Sequence, residues 1–126
     1  MDSPLKIAKL WMDAMNAHDL DAMSALYAED ISALEIADPI EHNRVGLIAS
    51  YVDLLLAYPD CKAEILNTFE DLEQALIEIR WIGTNTGSFR GDEPTNRVSD
   101  LRIAYIFRVC NDRIVQMTEY YDSAQV

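Results

Sequence analysis

The chain has 126 residues, half of them hydrophobic and a quarter charged, which suits one globular domain with its own core and argues against disorder. Its 10 basic and 22 acidic residues give a formal charge of −12. That charge would be repelled by nucleic acid or an anionic membrane surface, both of which are bound through Lys and Arg, so neither is expected as a partner.

From the N-terminus, Ser3-Pro4 reads as a helix start, with Ser as cap and Pro at a position where its missing N–H costs nothing. Ile7, Trp11, Ala14 and Met15 follow at helical spacing. "NAHD" interrupts the helix, and Asp19 caps a short second one carrying Leu20, Met23, Leu26 and Tyr27. "ISALEI" reads as a short strand and Asp38-Pro39 as a turn. A third helix is expected with Val45, Ile48, Val52 and Leu55 on one face, closed by "YPD".

Strands follow. "KAEILNTFE" alternates through Ala63, Ile65, Asn67 and Phe69, "QALIEIRWI" through Ala75, Ile77, Ile79 and Trp81, and "LRIAYIFRV" through Leu101, Ile103, Tyr105, Phe107 and Val109. Asn111-Asp112 is a two-residue hairpin turn, since both types tolerate positive φ. "RIVQMTEYYD" is the last strand. Helices first and antiparallel strands afterwards make the class α+β, a single domain over residues 1–126. A curved sheet closed by helices leaves a concave interior, a common place for a small-molecule pocket.

Several local features point to dull roles. Cys61 and Cys110 fall in strand segments as free structural thiols, with no CxxC pattern. His18 and His42 are far apart and no calcium-loop pattern is present, so no metal is expected. His18 reads as surface, and His42 as a helix-start residue or a pocket-mouth group. "GTNTG" is no phosphate loop, because neither Lys-Ser/Thr nor a helix N-terminus follows. The N-terminus lacks a basic segment leading into an apolar run, and no apolar stretch approaches the roughly 18 residues of a membrane span, so a cytoplasmic protein is the default.

Together "WMDAMNAHDLDAMSALYAEDI", "YPD", "RWIGTNTGSF", "EPTNR" and "RIVQMTEYYD" resemble the SnoaL-like polyketide cyclase branch of the NTF2-like superfamily, in the right order over nearly the whole chain. The resemblance implies a cone-shaped curved antiparallel sheet wrapped around N-terminal helices, a deep apolar pocket, and homodimers through the sheet. It implies a small hydrophobic carbonyl ligand and acid/base chemistry by a pocket carboxylate in a cyclase or isomerase, without cofactor or metal. Other branches hydrolyse epoxides or only bind ligands, so a non-catalytic module is the alternative.

Asp122 matches the acid that ends the family's last strand, and is the expected catalytic acid/base. Asn85 stands where the family commonly has His. An amide can orient a carbonyl or stabilise a developing enolate oxygen but cannot take up a proton; alternatively it satisfies backbone groups where the strand bends. Glu93 and Asn96 replace a proline and a glycine of the family's "PPTGR". If Asp122 points inward, so do Tyr120, Thr118 and Gln116; with the opposite parity, Tyr121, Glu119 and Met117 do. The expected ligand-binding residues are Trp11, Met15, Tyr27, Tyr51, Trp81, Tyr105, Phe107 and Tyr120, with plain core packing the alternative for most of them. Arg80 and Arg108 could pair with Glu78, Glu119 or Asp122, although no second pocket Asp is placed for an epoxide-hydrolase set.

Overall fold

A computed structural model describes residues 2–37 and 39–125. Asp38, half of the expected turn at Asp38-Pro39, lies outside them.

Helix α1 spans Pro4–Asn16, and the Ser3 side chain accepts from the Lys6 N–H, as the Ser-Pro start implies. Its buried face carries Ile7, Ala8, Trp11, Met12, Ala14 and Met15. Helix α2, Leu20–Ala25, is capped by Asp19, whose carboxylate accepts from Ala22 N–H at 3.0 Å. It is shorter than expected, because Tyr27 already belongs to strand β1, Tyr27–Glu35. A short strand β2, Ile40–His42, turns back on β1 and leads into helix α3, Arg44–Ala57. The buried stripe of α3 is Leu47, Tyr51 and Leu55 rather than the one through Val45, which is 75% exposed. A continuously apolar helix offers two candidate faces, and tertiary contact with β1 and α2 selects one.

Strands β3 (Lys62–Glu70), β4 (Gln74–Thr84), β5 (Val98–Cys110) and β6 (Arg113–Tyr120) complete one six-stranded sheet in the order β2-β1-β6-β5-β4-β3. All neighbours are antiparallel except β1 and β6, which run parallel, so the sheet is mixed where a purely antiparallel one was expected. Helix α1 packs across β3, β4 and β5, and α3 against β1, so the sheet wraps the helices as a cone. The alternation in β4 and β5 is as read: Ala75, Ile77, Ile79 and Trp81 face inward opposite Phe107, Tyr105, Ile103 and Leu101.

Two β-bulges re-aim side chains. In β3, Ile65 pairs with Ile79 and Asn67 with Glu78, leaving Leu66 as the extra residue. Beyond it Thr68 pairs with inward Ile77, and Phe69 is turned out, 67% exposed, against the simple alternation. In β6, Val109 pairs with Ile114 and Arg108 with Gln116, so Val115 is the extra residue. The parity of the last strand follows from that second bulge.

The hairpin at Asn111-Asp112 has positive φ at both residues (50° and 60°), as expected. Cys61 is buried just before β3 and Cys110 is exposed at the end of β5; both are free thiols. Arg80 forms a two-bond pair with Asp100 on the outer face, at 3.0 and 2.7 Å, rather than with Glu78, Glu119 or Asp122. Among the described residues no helix is long and apolar enough to cross a membrane.

Candidate functional site

The site starts from the bulge at Val115. Ile114 is fully buried, and regular alternation from it would send Gln116, Thr118, Tyr120 and Asp122 inward. The extra residue reverses this, so Met117 is buried and Glu119 follows it on the inner face. Glu119 is flanked across the sheet by Tyr105 on β5 and Glu35 on β1, one row above Met117, Phe107 and Ala33. Tyr120 points outward and is 43% exposed. Asp122 lies beyond the strand on the surface, where its carboxylate accepts from Ala124 N–H at 2.9 Å.

This row forms the floor of a cavity of about 210 Å³. Leu101, Ile103 and Trp81 form its sheet wall, and Ser50, Tyr51, Leu54 and Tyr58 from α3 and its end cover it. Tyr58 meets Trp81 edge-on, ring centres 5.0 Å apart. Phe89 and Arg90 stand at the rim. They sit on a tight turn closed by reciprocal Phe89–Asp92 backbone bonds of 3.0 and 2.9 Å, with positive φ at Arg90 and Gly91. The Arg90 guanidinium is 3.6 Å from the Asp53 carboxylate of α3.

The segment from Thr84 to Arg97 that carries this rim is clamped by side-chain hydrogen bonds. Asn85 is 6% exposed and lies outside the cavity lining. Its amide donates to the Ala57 and Gly87 carbonyls at 3.2 and 2.9 Å, and its carbonyl oxygen accepts from the Thr95 N–H and hydroxyl at 2.9 and 3.1 Å. With its donors and acceptor engaged, Asn85 does what the strand-bend alternative required. Gly87 is needed beside it: a Cβ there would lie 2.0 Å from the Leu56 carbonyl oxygen. Asp60, from "YPD", accepts from Thr84 N–H at 2.7 Å and ties the end of β4 to the same corner.

Electrostatics single out Glu119. Enclosure in protein pushes its carboxyl from 4.5 up to about 7, the nearby Glu35 charge adds to the rise, and the Tyr105 hydroxyl opposes it. Glu119 nevertheless keeps part of its surface open to the cavity. Tyr121 donates to Glu35 at 2.8 Å, which fixes the second carboxylate. Burial holds the Tyr51 and Tyr105 hydroxyls well above the usual phenol range, with the Glu119 charge second, so both remain protonated donors at neutral pH.

Of the residues expected around a ligand, Tyr51, Trp81 and Tyr105 line the cavity. Trp11, Met15, Tyr27 and Phe107 lie in the core, because α1 buries them against the sheet. The Trp11 indole donates to Tyr27 at 2.9 Å, and its ring packs on Tyr51, Tyr105 and Phe107 at 5.1–5.5 Å. This buried aromatic layer packs against the two pocket tyrosines. Glu35, Ser50, Tyr58, Phe89 and Arg90 were not anticipated as lining; Glu119 and Tyr121 belonged to the opposite-parity set. Among the described residues no group of three or more His, Cys, Asp or Glu side chains could hold a metal ion.

The family model for the SnoaL-like domain matches residues 8–117. No curated protein sequence matches the chain. Among solved structures, AclR, a proposed hydroxylase from Streptomyces galilaeus, aligns with a TM-score of 0.86 at 17% identity, over 97% of this chain and 76% of that one. IdmH, a proposed polyketide cyclase from Streptomyces antibioticus, aligns at 0.85 and 20% identity, over 98% and 95%. A protein of ketosteroid isomerase-like fold from Catenulispora acidiphila, solved with trimethylamine, aligns at 0.80 and 17%, over 99% and 91%. At such identities these likenesses establish the fold. With the family model spanning most of its length, the chain belongs to the SnoaL-like domain family.

Proposed function

We propose that the protein binds a small hydrophobic carbonyl compound and acts on it as a cofactor-independent isomerase or aldol-type cyclase, with Glu119 as the general base. The observation that carries this reading is the Glu119 carboxyl enclosed with Tyr51, Tyr105 and Glu35 at the floor of the cavity, where burial pushes it up to about 7. A base poised near neutrality is half ionised at working pH and strong enough to take a proton from a carbon beside a carbonyl. Tyr51, protonated and held by the Trp11 layer, is the donor for the developing enolate oxygen, while Tyr105 hydrogen-bonds the Glu119 carboxylate. Glu35, anchored by Tyr121, keeps the Glu119 proton affinity high.

The test is exchange of the α-hydrogens of a small aromatic ketone, β-tetralone, in D2O. Wild type should exchange them about a hundredfold or more faster than Glu119→Gln, the usual range for loss of a general base. Equal rates with undiminished ketone binding would instead favour the non-catalytic binding module. A homodimer through the outer face of the sheet, where Leu34, Ile82 and Tyr120 are exposed, belongs to the same proposal and is tested by sedimentation.

A further inference from the structure

The carboxylate pair has a second space behind it. Glu35 and Glu119 also line an annex of about 30 Å³, together with Ser50 and Tyr51 from α3 and His42 from β2. That volume holds a water molecule, which needs two to four polar partners, and this lining supplies them. His42 Nε2 is buried and meets no hydrogen-bond partner among the described protein atoms. A buried nitrogen left without a partner is unfavourable, and a bridging water satisfies it.

On its other side His42 reaches the outside. A shallow surface groove is lined by Ile31, Ser32, Glu41, His42 and Asn43, and His42 is the one described residue common to groove and annex. The imidazole thus lies between the space beside the carboxylates and the outer groove, on a different wall from the rim at Phe89 and Arg90. Its seat is specific. A Cβ at Gly46, in the first turn of α3, would come 3.2 Å from His42 Nδ1, so glycine leaves room for the ring.

We propose that His42, with a water in the annex, is a rear proton exit for Glu119; this rests on Glu119 being the base. The Glu119 carboxylate takes a proton from the substrate carbon and passes it to the annex water. That water delivers a proton to His42 Nε2, and the imidazolium releases one to solvent in the outer groove. Carboxylate and water are restored, and one proton has moved from carbon to bulk water. The imidazole is left as its other neutral tautomer, with the proton on Nε2, and tautomer exchange with solvent resets it before the next turnover. A ligand that fills the cavity blocks the front, so this route sets how fast Glu119 exchanges its proton during turnover.

The experiment follows β-tetralone exchange in D2O for wild type, Glu119→Gln, His42→Ala and His42→Gln, with ketone affinity and thermal unfolding measured alongside. Both His42 variants should slow exchange about tenfold or more while ketone Kd is unchanged, and free imidazole should restore His42→Ala, which a structural histidine would not allow. Exchange lost in Glu119→Gln but unaltered in both His42 variants overturns the exit and leaves the base standing. Wild type exchanging no faster than Glu119→Gln overturns base and exit together. A high-resolution crystal structure should place a water between His42 Nε2 and Glu35 or Glu119; a dry annex overturns the exit whatever the kinetics.

Discussion

Replacing Glu119 by Gln should make the protein more stable at alkaline pH while removing its chemistry. Folding raises this carboxyl from 4.5 to about 7, so the folded state holds its proton more tightly than the unfolded chain. The sign follows from linkage: the favourable contribution is complete below about 4.5, declines as pH rises, and is gone above about 7. At about 1.4 kcal/mol per tenfold in proton affinity, the difference is about 3 kcal/mol, and water reaching the cavity lowers it towards about 2 kcal/mol. Gln matches the protonated carboxyl in shape and carries no charge. The variant should therefore equal wild type in urea unfolding at about pH 4 and exceed it by about 2–3 kcal/mol at about pH 8. For a chain of this size that corresponds to roughly 10 °C in Tm. Stability curves for the two proteins that run parallel from acid to alkaline pH would refute the assignment of a desolvated, proton-hungry Glu119.

Tyr105→Phe removes the hydroxyl that opposes the rise of the Glu119 carboxyl, so the pH midpoint of α-hydrogen exchange should move upward relative to wild type. Asn85→Ala strips the clamp of a buried amide with partners on three residues and should cost about 2–4 kcal/mol in urea unfolding. Gly87→Ala should destabilise comparably, because its Cβ would meet the Leu56 carbonyl oxygen at 2.0 Å and the loop must withdraw. Asp122→Asn changes an exposed carboxylate that caps the last turn, so exchange should stay at the wild-type rate and stability within about 0.5 kcal/mol.

The parts of this structure legible in the sequence are those encoded by neighbouring residues. Ser3-Pro4 starts α1, Asp19 caps α2, and Asn111-Asp112 turns the last hairpin, each through a bond or dihedral set within a few positions. The inward rows of β4 and β5 are legible because both faces of those strands are well differentiated. The site was harder, because its carboxylate depends on one extra residue. "RIVQMTEYYD" carries no sign that Val115 bulges, since that depends on pairing with Arg108 and Val109 of another strand. The parity that brings Met117, Glu119 and Tyr121 together was visible only as one of two alternatives. Glu35 carried no signal at all, because its importance comes from lying beside Glu119 across a parallel pair distant in sequence. Asn85 drew attention through its resemblance to a family histidine, whereas its four hydrogen bonds hold the rim in place.

The account turns on the proton affinity of one side chain. The most direct measurement is a 13C NMR titration of the Glu119 carboxyl in glutamate-labelled protein, assigned by its disappearance in Glu119→Gln. The account predicts a midpoint at about 7. A Glu119 midpoint at the ordinary carboxylate value near 4.5 would contradict it.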